Sequence, residues 1–388
     1  MEFMGYKREN GDVGIRNYVV IIPASVCASE VSSRIADAVP MAVALPHQHG
    51  CCQMGEDFRQ TVRTLVGFGK NANAGAVLVV GLGCEGIQSK DVSDQIAKTG
   101  KPVSYLTIQD CGGTTNAIAR GIEIASEYAS VLEKQERCVC PVSSLILGLE
   151  CGGSDPTSGL VANPAIGVAS DMLISVGGSS ILSETTEVIG AEHLLAKRFP
   201  DEKESERFLE MVGEIERRAV AAGEDLRGSQ PTPGNIEGGL STIEEKSLGC
   251  MHKAGDKELF MAALAYSQPL PEGKQGLFFM DTPGEDIDSI TGMVAGGAQI
   301  VVFTTGRGTP TGCPIAPVIK ITGNPDTYKN MTENIDVNGG KVMLGESTIE
   351  SIGEEIFELI VEVANGKEAK AEILGHREFG IYRIGYTF

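Results

Sequence analysis

Gly148-Leu149-Glu150-Cys151-Gly152-Gly153-Ser154-Asp155 closes a mostly apolar run over residues 142–149. A short apolar run bounded by glycines reads as a buried strand. Ser158-Gly159-Leu160 opens a helix signal just beyond it, so the stretch is a strand, a turn and a helix. Glycines let a backbone come close to another group, and here they stand between a thiol and a carboxylate. In open α/β sheets ligands bind beyond the carboxyl ends of the strands, which makes this turn an expected site. The same pattern recurs where residues 76–80 meet Gly81-Leu82-Gly83-Cys84-Glu85, and where residues 103–108 meet Gln109-Asp110-Cys111-Gly112-Gly113-Thr114. Three such strand ends predict one composite polar pocket.

Upstream, strands expected at 17–23, 41–45, 76–80 and 103–108 alternate with helices at 28–38, 55–68, 91–98 and 114–132. That alternation predicts an α/β domain over residues 1–140, with a doubly wound, mostly parallel, Rossmann-like sheet. Downstream, strands are expected at 145–149, 172–176, 277–280 and 299–303, with helices at 158–170, 187–196, 203–222 and 348–363. These make a second α/β domain, residues 141–388, that completes the active site. Residues 228–239 are rich in Gly and Pro, and long enough to be a site loop.

The chain has 388 residues and a formal net charge of −20. That charge argues against nucleic acid and anionic membranes as partners, whose phosphates it would repel. No apolar run reaches the length of a transmembrane helix, and Met1-Glu2-Phe3-Met4 has no signal-peptide pattern, so a cytoplasmic protein is expected. The ten cysteines are scattered with no CxxC pair, which fits free thiols and neither a zinc ribbon nor a ferredoxin cluster. Glycine pairs occur, but not GxGxxG between a first strand and its helix, nor a P-loop, nor a GxSxG elbow.

Five histidines limit the imidazole chemistry. Two lie in Pro46-His47-Gln48-His49-Gly50-Cys51-Cys52, directly after the second strand. Imidazole beside thiol is a borderline-to-soft metal set, although a polar loop with a buried cysteine reads equally from the same letters. Glu184 stands at a strand-to-helix junction and could ligate a metal or abstract a proton; Thr185 or Thr186 as a helix cap is the plainer reading. His193 lies two turns further on. Arg307, between Gly306 and Gly308, can present its fork to a carboxylate, or lie solvated. Lys246 follows Glu244 and Glu245, a site lysine or one half of a surface pair.

Taken in order, these motifs are familiar. The chain resembles the large domain of the altronate and galactarate dehydratase family over almost its whole length. The resemblance is carried by Gly5-Tyr6-x-Arg8-Glu9-Asn10-Gly11-x-Val13-Gly14-x-Arg16-Asn17, by His47-Gln48 to Cys51, and by Gly81 to Glu85. It continues through Cys151 to Asp155 with Ser158-Gly159 and Asn163-Pro164, then Glu184-Thr185 and Gly190-Ala191-Glu192. Pro233-Gly234-Asn235, Gly238-Gly239-Leu240-x-Thr242-x-Glu244-Glu245-Lys246-Ser247, Met280 to Gly284 and Phe303 to Gly308 complete it. The resemblance implies a lyase that dehydrates sugar acids to 2-keto-3-deoxy acids with iron. A sister branch, the large subunit of (2R)-sulfolactate sulfo-lyase, expels sulfite instead. Full-length sugar-acid dehydratases carry a small domain before the Gly-Tyr-x-Arg motif. Here that motif starts at Gly5, so a separate small subunit is expected, with homo-oligomers also in view.

Eliminating a group from a 2-hydroxy acid requires removal of a weakly acidic α-proton, and a divalent metal can stabilise the resulting enolate. The expected metal is Fe2+, with Mn2+ or Mg2+ as alternatives, held by some of His47, His49, Cys51, Cys84 and Cys151. Glu184 and Lys246 are the expected bases, and His193 the acid. Arg307 would hold a distal anionic group, with Asp155, Ser154 and Thr305 around the substrate. Two other readings stand beside this one: an iron–sulfur dehydratase using Cys84, Cys111 and Cys151, and a non-catalytic scaffold whose partner carries the site.

Overall fold

The computed structural model describes residues 1–386. Two parallel sheets dominate. The smaller has four strands, Tyr18–Pro23, Ala42–Ala44, Ala74–Gly81 and Val103–Thr107, with Tyr18–Pro23 and Ala74–Gly81 in the middle. The larger has seven strands in the spatial order Phe260–Leu264, Gly276–Met280, Ser179–Leu182, Ile146–Cys151, Ile300–Thr304, Val318–Thr322 and Val337–Asn338, every neighbouring pair parallel. A small antiparallel sheet ties Glu2–Lys7 to Val13–Gly14 and to Cys138–Pro141, next to the start of the large sheet.

The layering follows from strands that are apolar on both faces, as parallel sheets require. In Tyr18–Pro23, Val19 and Ile21 face one core while Val20 and Ile22 face another. In Ile300–Thr304, Val301 and Phe303 share that second core, and Ile300 and Val302 face a third. The shared core therefore lies between the two sheets, where helix Gly55–Lys70 packs on helix Asp286–Ala295. The outer face of the large sheet is covered by Asn163–Ser175 and the C-terminal helix Ile349–Ala364, whose Thr348 accepts from the Ser351 amide as N-cap.

One strand was expected in the wrong place. Residues 172–176 are not a strand, because the helix that begins at Asn163 runs on to Ser175. After the turn at Gly177, with φ of 90°, the strand is Ser179–Leu182. A run of Met, Leu, Ile and Val suits either a buried helix end or a buried strand, and periodicity cannot separate the two. The three Cys/Gly strand ends also do not make one pocket. Ala74–Gly81 and Val103–Thr107, which lead to Cys84 and Cys111, belong to the small sheet, while Cys151 ends a strand of the large one.

Candidate active site

The order in which the chain adds strands reverses across the large sheet between Ile146–Cys151 and Ile300–Thr304: strands on one side of that boundary follow the first in sequence, those on the other follow the second. Such a switch point opens a crevice at the carboxyl ends. A cavity of about 430 Å3 lies at this edge, lined by Cys151, Glu187, Lys246, Asp286 and Arg307 among others. The segment 226–235 closes one side with Leu226, Gln230, Thr232, Gly234 and Asn235, so the Gly/Pro-rich stretch does border the site. A larger groove of about 1090 Å3 lies elsewhere, near Asn10 to Val13 and Ser267 to Gln275. It holds no cysteine or histidine, so its size does not make it the chemical centre.

Each element delivers one or two groups. Gly152 has no room for a side chain, since a Cβ there would lie 2.5 Å from both Asp286 carboxylate oxygens. The glycine thus lets the strand end and the first turn of helix Asp286–Ala295 close on each other. Glu184 follows Ser179–Leu182 in the left-handed region, with φ of 67°. A non-glycine residue held there stores strain that the surroundings must sustain. The Glu184 amide donates to Thr282 Oγ1 at 2.7 Å, and its Oε2 accepts from the Cys151 amide at 3.0 Å. Helix Ile243–Met251 is capped by Thr242, which accepts from the Glu245 amide at 3.2 Å. Its spacing sets Lys246, Cys250 and, in the following turn, Lys253 on one stripe.

The groups meet as two parallel relays. Cys151 Sγ donates to Glu184 Oε1 at 3.5 Å, and Glu184 pairs with Lys253, both side chains fully buried. Cys250 Sγ lies 3.8 Å from Glu187 Oε2, and Glu187 pairs with Lys246 at 2.6 Å. The two thiols are 3.4 Å apart. Contact with Cys250 and then burial push the Cys151 thiol well up. Burial works against the charge on both lysines, but Glu187 more than offsets it at Lys246, and Cys151 and Glu184 do so at Lys253; both are raised. Glu150, fully buried one residue before Cys151, is pushed well up by burial and by Glu184; its Oε2 accepts from Ser289 at 2.6 Å while Oε1 has no partner among the described residues. Burial, then Glu184, raise Asp286 to about 7. No hydrogen bond from another described group reaches its carboxylate.

Cys151, Glu187 and Cys250 each offer a donor atom within 4.8 Å of the others, the one such group among the described residues. Two buried thiols and a carboxylate fit a divalent cation with some taste for sulfur.

Of the residues expected from sequence, Cys151, Lys246 and Arg307 line the cavity. Glu184 lies beneath its floor and does not line it. Asp155 is buried, accepting from Thr157, Ser158 and Asn324. Thr305 is buried and accepts from the Gly308 amide; Ser154 is buried with its hydroxyl unpartnered. His47, His49, Cys51 and Cys84 stand at the edge of the small sheet, outside the donor group. His47 is buried and lowered to about 4 by that burial, with one ring nitrogen bonded to the Pro23 carbonyl at 2.7 Å and the other accepting from the His49 amide at 3.1 Å. Both nitrogens are therefore engaged within the chain. His193 is exposed on the short helix Glu192–Leu195 and does not line the cavity. Cys84 and Cys111 do not line it either, so the iron–sulfur reading loses two of its three ligands there.

Glu187, Cys250, Lys253 and Asp286 were missed. The i, i+4, i+7 spacing of Lys246, Cys250 and Lys253 is legible once Thr242 is taken as a helix cap. Asp286 carries a signal akin to that of Cys151, a polar residue near a strand end and glycine, here Met280 and Pro283-Gly284.

A switch-point pocket of buried acids, lysines and thiols defines an α/β enzyme. The chain belongs to the D-galactarate/altronate dehydratase family: residues 5–133 match the family's second domain and residues 142–387 its C-terminal domain. It is a lyase-family enzyme, as its relatives' names state. It is 39% identical to the (2R)-sulfolactate sulfo-lyase subunit beta of Chromohalobacter salexigens, over 98% of this chain and 97% of that one. It is 34% identical to the altronate dehydratase of Bacillus subtilis, over 99% of this chain and 78% of the relative. The galactarate dehydratase (L-threo-forming) of Escherichia coli is 34% identical over 94% and 73%. No helix of the described residues is long and apolar enough to cross a membrane.

Proposed function

We propose that this chain eliminates water from a sugar acid such as altronate or galactarate, giving a 2-keto-3-deoxy acid. The observation that carries the reading is a free carboxylate, Asp286, facing an ammonium, Lys246, across a cavity lined by hydrogen-bonding side chains. Asp286 takes the α-proton. The electron pair forms the Cα–Cβ double bond, the C–O bond at Cβ breaks, and the leaving hydroxyl takes a proton to depart as water. The enol then becomes the 2-keto acid. Lys246, raised by Glu187, is a proton donor and a positive charge near the enolate rather than the base. Glu184 is a positioning residue, because Lys253 and the Cys151 amide hold its Oε2 and the Cys151 thiol donates to its Oε1. Arg307, at the mouth, receives the distal carboxylate.

Cys151, Glu187 and Cys250 would hold the metal. A divalent ion there supplies Lewis-acid polarisation of the substrate carboxylate and 2-hydroxyl, and Fe2+ suits thiol and carboxylate donors better than Mg2+, which favours oxygen alone.

A second reading rests on the 39% identity to a sulfo-lyase named as subunit beta, against 34% for the altronate dehydratase. In that reading the leaving group is sulfite, the product is pyruvate, and a separate small subunit completes a cytoplasmic enzyme. The test is to purify the chain anaerobically, alone and with a candidate small subunit, and to measure bound metal together with 2-keto acid and sulfite from altronate, galactarate and (2R)-sulfolactate. Keto acid without sulfite from a sugar acid supports the first reading, and sulfite release the second. Neither product after iron reconstitution would favour a scaffold.

A further inference from the structure

We propose that Cys151 and Cys250 are a reversible dithiol–disulfide pair that closes the active site under oxidation by a hydroperoxide. The two sulfurs lie 3.4 Å apart, although 99 positions separate them in the chain. A disulfide needs about 2.05 Å, a closure that rotation about the two side chains can supply. Cys151 ends a strand and borders the cavity, so a small neutral oxidant reaches it from the pocket. Cys250 is buried behind it, on the capped helix. Each thiol has its own carboxylate neighbour, Glu184 for Cys151 and Glu187 for Cys250. The other close pairs differ: Cys51 and Cys52 are adjacent in the chain, and Cys138 and Cys140 are separated by one residue.

The chemistry balances with one hydroperoxide. The Cys151 sulfur attacks a peroxide oxygen as its thiol proton passes by way of Glu184 to the departing oxygen. The O–O bond breaks, a sulfenic acid forms, and the departing oxygen leaves as water or alcohol. The Cys250 sulfur then attacks the Cys151 sulfur as its proton passes by way of Glu187 to the sulfenic oxygen; the S–S bond forms, the S–O bond breaks, and water leaves. Two thiols are oxidised and one peroxide is reduced. In a reducing compartment a disulfide formed this way would be transient and redox-sensing. It would remove two of the three metal donor atoms and tie helix Ile243–Met251, with Lys246, to the strand end.

The experiment treats the full chain with hydrogen peroxide, alkylates the remaining thiols, and maps peptides by mass spectrometry without reduction. The expected result is a Cys151–Cys250 linked peptide, loss of alkylation at both positions, and recovery of both with dithiothreitol. Cys250→Ser should leave Cys151 as a sulfenic acid captured by dimedone. Thiols that stay fully alkylatable, or a Cys151 sulfinic acid with no linked peptide in the natural chain, would overturn the proposal. The cross-link is read without turnover, so a wrong substrate does not touch it. The consequence for the site rests on the lyase reading: activity that stays level while the cross-link forms would overturn that part.

Discussion

Lys253 and Glu184 pair in the interior beneath the active-site cavity, with no exposure on either side chain. The pair holds Glu184 so that its carboxylate accepts from the Cys151 amide and the Cys151 thiol. Removing one partner of a buried pair leaves a bare charge and costs about 3–5 kcal/mol. Lys253→Met should therefore lower unfolding stability by that order and abolish turnover. Adding Glu184→Gln should return much of the stability but not the activity. Urea unfolding of both variants checks this; a double variant no more stable than Lys253→Met would show that the pair is not the cause.

Gly152 offers a gentler probe of the same floor. Gly152→Ala would force its Cβ against the Asp286 carboxylate. The expected outcome is a fall in kcat of at least about tenfold, equivalent to about 1.4 kcal/mol in the barrier, with the thermal midpoint nearly unchanged. Undiminished kcat would mean that Asp286 has room to move and does not act as the base.

The same pocket shows how far the sequence could be read. The strand ending at Cys151 and its site were legible because an apolar run, two glycines and polar residues follow one another within eight positions. The alternation of Val19 to Ile22 between two cores was legible as continuous apolarity. Glu187 and Lys253 were not, since their importance comes from pairing with Lys246 and Glu184 across elements far apart in the chain. His47, four positions before Cys51 in sequence, suggested a ligand; it is buried with both ring nitrogens hydrogen-bonded, away from the cavity. Sequence proximity led into the cavity only where a strand end aimed it there.

Asp286, raised to about 7 by burial and then Glu184, must be ionised to take a proton. The rate should therefore rise with pH through about 7 and level off above it. Asp286→Asn should remove that limb along with nearly all activity. A pH–rate profile of kcat/KM on the natural chain checks the first part, and a flat profile from pH 5.5 to 8.5 would contradict it.

Arg307 is half-exposed at the cavity mouth and bonds to the Gly234 carbonyl at 2.5 Å and to Glu237 at 3.1 Å. A cation so placed holds substrate in both ground and transition states. Arg307→Ala should raise KM about tenfold or more with kcat little changed. A pure loss of kcat would instead place Arg307 at the reacting centre.

Lys320, in the strand Val318–Thr322, is fully buried and its ammonium has no partner among the described residues. Burial lowers it to about 8, with Asp336 only partly opposing that. Below pH 8 both folded and unfolded chains carry the proton, and the folded one bears the whole penalty of a buried charge. Between about 8 and the ordinary lysine value near 10.5 the unfolded chain binds more protons, so stability climbs with pH. Lys320→Met removes the penalty, and at pH 7 it should stabilise by roughly 3 kcal/mol. The gain should shrink steadily as the pH approaches 10. Asp336 would not be stranded, because the Lys320 and Lys370 amides still donate to it. Urea unfolding at pH 7 and pH 9.5 reads the difference, and a gain equal at both pH values would mean that packing, not charge, is what the lysine costs.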